Sequence, residues 1–126
     1  MEKRTEEWFR QSDYDMDTAE YIHKGGRYIY AVFMCHLAVE KALKGLYYEK
    51  LRKIPPKSHN LIYLLNEIGI KPPRGPGEFI VKLGEASIPA RYPDDLAKLQ
   101  RLYTEMIVKK ILENGKKLIL WIKEQL

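Results

Sequence analysis

Three side chains that can carry charge or a proton stand four apart in an otherwise apolar stretch: His36, Glu40 and Lys44, with Lys41 beside them. On a helix that spacing places them in one line, and Glu40 precedes Lys44 in the favourable order for an ion pair. Charges inside an apolar segment must be paired or must border a groove. The line is therefore either an internally satisfied ion pair or the wall of an anion-binding groove. Two further sets carry chemistry. Arg52 and His59 flank Pro55-Pro56, and Arg91-Tyr92 precedes Pro93-Asp94-Asp95. A guanidinium beside a helix start suits a phosphate, although Arg91 could equally pair with Asp94 or Asp95. His59 opens a helix, where it can bond backbone or act as a base. Tyr28, Tyr30, Tyr47 and Tyr48 could stack on bases or simply pack. The three His and one Cys have no metal-site spacing, so no metal and no cofactor is expected. No Gly-rich phosphate loop and no carboxylate pair of nucleotidyltransferase type is present, so any transfer chemistry is expected on another chain.

The element that must position the line is Tyr28 to Lys50. It lacks Pro and is rich in helix formers, which predicts one long helix. Ile29, Val32, Phe33, Val39, Leu43 and Leu46 form one apolar stripe, and Ala31, Cys35, Ala38, Ala42 and Gly45 a second, narrow one. A helix apolar on two sides is wrapped by neighbours. The small stripe lets another backbone approach closely, so it and the last helix are the expected packing and dimer surfaces.

Around this helix the chain reads as all-α, an up-and-down bundle of three long and two short helices in one domain. A first helix is predicted from about Thr5 to His23, with Trp8, Ser12, Met16 and Ala19 inward and Gly25-Gly26 closing it. The turn is short, so the second helix should run back antiparallel and stop before Pro55. A short third helix, Asn60 to Ile68, would take Ser58 as N-cap and end at Gly69. Residues 70–77 (IKPPRGPG) read as loop. A short fourth helix covers Glu78 to Ser87, ended by Pro89. One long helix, capped by Asp94 or Asp95, runs to Leu126 with any bend at Asn114-Gly115.

Composition narrows the class. The single Cys35 excludes an internal disulfide framework and implies a buried thiol in a reducing compartment. MEKRTEEWF has no apolar leader, and the apolar runs are too short to span a bilayer, so a cytoplasmic location is expected. The net charge of +5 is uneven. Residues 1–20 hold seven acids against three bases, whereas residues 41–82 hold nine bases against three acids. An acidic first helix beside a basic middle is either internal complementarity or a surface for nucleotide or RNA.

In order along the chain, four signatures resemble the HEPN domain: Ser12-x-x-Asp15-Met16-x-x-Ala19, Ala38-x-Glu40-Lys41-x-x-Lys44, His59-x-Leu61-x-x-Leu64 and Arg91-Tyr92-Pro93-Asp94. The likeness is nearest to the stand-alone HEPN proteins often encoded beside a minimal nucleotidyltransferase. It implies a helical bundle, usually a homodimer, with a polar groove for nucleotide or RNA and a separate nucleotidyltransferase partner. In some members the two proteins form a toxin–antitoxin pair. On these positions the resemblance implies phosphate binding by Lys41, Lys44 and Arg91, with His36, Glu40, His59 and Tyr92 lining the groove. Ribonuclease members carry Arg-x4–6-His near the start of a late helix. Here the only such spacing, Arg52-x6-His59, is broken by Pro55-Pro56, and no histidine follows His59. The expected protein is therefore non-catalytic. The alternatives are a divergent ribonuclease using Arg52 or Arg91 with His59, and a purely structural dimeric module.

Overall fold

A computed structural model describes residues 1–126 and contains six helices and no strand. They are α1 (Lys3–Lys24), α2 (Tyr28–Leu51), α3 (Leu61–Ile68), α4 (Arg74–Arg91), α5 (Leu96–Leu102) and α6 (Glu105–Glu124). The all-α expectation holds, but the helices number six rather than five. No helix is long and apolar enough to cross a membrane.

α2 is the axis of the fold and touches all five other helices. Its large side chains Val32, Val39, Leu43 and Leu46 are fully buried with Leu61 and Leu64 of α3, Ile80 and Leu83 of α4, and Val108, Leu118 and Ile122 of α6. Each such side chain contributes about 1.5–3 kcal/mol by leaving water. The narrow stripe is spent within the chain. Ser12 Oγ of α1 donates to the Ala38 carbonyl at 2.6 Å, and a Cβ at Gly45 would lie 2.8 Å from the Phe9 ring. Farther along, Cys35 packs on Gly115 of α6, where a Cβ would stand 2.5 Å from its Sγ. With the whole stripe buried, it packs α1 and α6 and offers no surface to a second copy. In α1 it is Phe9 that enters the core, while Trp8 stays half-buried.

The helix boundaries differ from the sequence expectation where capping outweighs periodicity. Asn60, not Ser58, caps α3: its side chain accepts from the Tyr63 N–H at 3.0 Å, and Ser58 instead accepts from the Asn60 N–H. α4 begins at Arg74, inside the stretch expected as loop. Pro76 falls in its first turn, where a missing N–H costs nothing. α4 also continues through Pro89, and the Tyr92 N–H still reaches the Ile88 carbonyl at 2.9 Å. The final long helix is two. Thr104, in extended backbone, accepts from the Ile107 N–H and starts α6, while Asp95 caps α5 through the Lys98 N–H. Asn114-Gly115 lies inside α6 without interrupting it.

Candidate functional site

The charged line on α2 is buried. Glu40 is only 3% exposed, and its carboxylate collects two partners. Lys44 Nζ donates at 2.9 Å, and His59, from the segment before α3, places Nδ1 at 3.0 and 3.1 Å from the two oxygens. Lys44 also lies over the Trp8 ring of α1, 6.0 Å from its centroid. A buried carboxylate without such partners would be strongly unfavourable, so the pairing is a condition of placing Glu40 there. His59 itself is 60% exposed at its side chain. Its ring is therefore oriented by a buried carboxylate at one nitrogen and open to water on the other side.

His36 sits deeper. Its Nδ1 is 3.9 Å from Glu40, too far for a hydrogen bond, and neither ring nitrogen has a partner. Burial lowers its pKa from 6.5 to about 4; Glu40 opposes the shift, while Arg91 and His59 add to it. His36 is a neutral imidazole at pH 7.

Lys41 points elsewhere. Its ammonium meets Asp15 of α1 at 2.9 Å. Trp8 and Asp15 are the partners that sequence reasoning missed. The signal for Asp15 was its place one turn beyond Ser12, on the α1 stripe that faces α2. Cys35 is buried, and loss of hydration pushes its thiol up to about 12, so it remains protonated.

Arg91 ends α4 and is the exception among these cations. Its guanidinium lies over the Phe33 ring, 4.6 Å from the centroid. It has no ion pair, and its buried Nε has no hydrogen-bond partner. Asp95 is turned to the start of α5 instead. Tyr30 (57% exposed) and Tyr92 (77% exposed) stand beside it, and with Phe33 and Ala90 they wall a concavity of about 290 Å³. Of the three expected phosphate ligands, then, Lys41 and Lys44 are held by carboxylates and Arg91 is free. Of the expected groove residues, Tyr92 lines the concavity, His59 opens to solvent, and His36 and Glu40 lie beneath the surface. Arg52 is apart from all of them. It caps α2 in the left-handed region (φ 54°) and pairs with Glu2 and Glu49, whose carboxyl is held below its ordinary range by the Glu2 N–H. No group of three or more His, Cys, Asp or Glu side chains is arranged to hold a metal ion.

Comparison with known proteins agrees with this architecture. The HEPN domain family model matches residues 5–125. The solved structure of TT1696 from Thermus thermophilus is similar with a TM-score of 0.85 and 27% identity, covering 99% of this chain and 100% of that one. ST0689, described as an archaeal HEPN homologue, is similar with a TM-score of 0.77 and 29% identity, covering 98% of both chains. No curated protein sequence matches.

Proposed function

Because the chain belongs to the HEPN domain family, we propose that it is a non-catalytic member that binds a nucleotide or RNA and works with a separate minimal nucleotidyltransferase, as the two halves of a toxin–antitoxin type pair. The observation that carries the binding half is Arg91: a guanidinium with no carboxylate, set on Phe33 between two exposed tyrosines. A cation beside stackable rings complements a phosphate attached to a base. Lys41 and Lys44 are not ligands in this reading, because releasing either to an anion would strand Asp15 or Glu40. A thermal-shift and calorimetry screen against nucleotides and short RNAs tests this reading. Stabilisation should grow with ligand concentration and disappear in Arg91→Gln; a flat screen for the wild-type protein contradicts it.

The assembly half of the proposal rests on α5. None of its residues is buried, and Leu96 and Leu102 are both exposed. These are surfaces for a second copy or for the nucleotidyltransferase. Light scattering should give twice the chain mass of 14.9 kDa; a monomer at micromolar concentration contradicts the homodimer.

One observation favours the ribonuclease alternative. The buried Glu40 carboxylate holds the Nδ1 of the solvent-open His59, as a base is oriented in hydrolases. Arg52, committed to Glu2 and Glu49, drops out of that reading. It requires RNA cleavage by the wild type that is lost in a folded His59→Ala protein.

A further inference from the structure

The concavity at Arg91 is not isolated. Tyr30 and Ala90 also line a second one, of about 550 Å³, between the start of α2 and α5. Its other walls include Arg27, Tyr28, Gln100 and Tyr103. Arg27, like Arg91, has no carboxylate partner, and what sets these two apart from the other unpaired cations is that each borders one of the adjoining concavities. A free guanidinium thus belongs to each concavity, and the exposed Tyr30 belongs to both.

One cation to each concavity, with an aromatic ring shared by both, matches the alternation of a nucleic-acid strand: phosphate, base, phosphate. A single nucleotide carries its phosphate on one side of the base and would leave one arginine without an anion. A duplex hides its bases in the stack, so it could not use the tyrosines. From these features we propose that the two concavities form one track for single-stranded nucleic acid, with Arg91 and Arg27 each holding a phosphate and Tyr30 stacked on the base between them. The proposal rests on the reading of Arg91 as a nucleotide anchor and extends it to a second anchor and a polymeric ligand.

Fluorescence anisotropy and calorimetry with uridine monophosphate, a uridine tetranucleotide, its deoxyribose counterpart and a short RNA duplex separate the possibilities. Arg27→Gln should weaken the tetranucleotide about tenfold, the effect of losing one charged hydrogen-bonding contact. It should also flatten the dependence of log affinity on log salt by about 0.7, as for one phosphate of a single strand. The mononucleotide should bind Arg27→Gln as it binds the wild type, and Arg91→Gln should weaken both. Tyr30→Ala should lose tetranucleotide affinity that Tyr30→Phe keeps. Equal binding of the deoxyribose strand supports a track that reads phosphates and bases; weaker binding supports it with an added contact to the 2′-hydroxyl. If Arg27→Gln binds the tetranucleotide with unchanged affinity and salt dependence, or if the duplex binds more tightly than the strand, the track is overturned while the Arg91 anchor stands. If Arg91→Gln retains full affinity for every probe, or the wild type binds none, both the track and the anchor are wrong.

Discussion

The seam between α1 and α2 and the corner where α4 meets the start of α2 are built to different rules. In the seam, small residues bring the backbones together, and the cations along it, Lys41 and Lys44, each have a carboxylate. At the corner, Arg27 and Arg91 have none, Tyr30 and Tyr92 face water, and the walls stand apart to leave two concavities. Charge in the seam is consumed by folding; charge at the corner is left unpaired. The same residue types therefore do different work according to whether the packing supplies a counter-charge.

The sharpest way to break the contrast is to remove a counter-charge. Glu40→Ala leaves the Lys44 ammonium buried and unpaired, and should lower unfolding free energy by about 4 kcal/mol in denaturant titrations. Adding Lys44→Met should return much of that loss, because the cost lies in the orphaned charge rather than in the missing bond. Failure of the second substitution to restore stability would show that Glu40 acts through something other than its pair.

Next in size is pH. The folded state holds His36 neutral with a pKa near 4, below its ordinary 6.5, so the unfolded chain binds the proton first on acidification. Stability is complete above pH 6.5 and falls as pH drops toward 4, by about 3 kcal/mol from this group alone. The groups facing it, Glu40, Arg91 and His59, remain in a His36→Phe protein. Comparing the two acid profiles therefore isolates the histidine, and the variant's profile should be flatter over that window.

Smallest is Gly115→Ala. Alanine is the better helix former by about 1 kcal/mol, yet the new methyl would meet Cys35 Sγ at 2.5 Å and Met16 Cε at 3.1 Å. Overpacking should win, with a net loss of about 1–2 kcal/mol by thermal unfolding that Cys35→Ala partly relieves. A gain in stability would mean that α6 can move off α2.

These expectations also mark what the sequence carried and what it did not. The all-α class, the long central helix and its wrapping were legible because two apolar stripes recur at helical spacing. The Glu40–Lys44 pair was legible from its four-residue spacing. The split between α5 and α6 was not, since the apolar period runs across it and only the Thr104 cap interrupts the helix. The start of α4 was hidden by Pro72, Pro73, Gly75, Pro76 and Gly77, which read as loop until Pro76 is placed in a first turn. In the site, Lys41 looked like a free cation because its environment depends on a contact beyond local spacing. Asp15 lies far from Lys41 in the chain, and nothing in α2 alone says that it arrives. Arg91 was singled out from the sequence, but its freedom from Asp94 and Asp95 had to come from the geometry of the α4–α5 junction.

The most direct measurement pairs one residue from each region. Arg91→Gln and Lys41→Ala proteins would be compared with wild type for melting temperature and, by calorimetry, for affinity toward uridine monophosphate at low salt. Arg91→Gln should melt close to wild type and lose nucleotide binding, while Lys41→Ala should melt lower and keep it. The reverse pattern, with Lys41 governing affinity and Arg91 governing stability, would contradict the division between a seam that consumes charge and a corner that offers it.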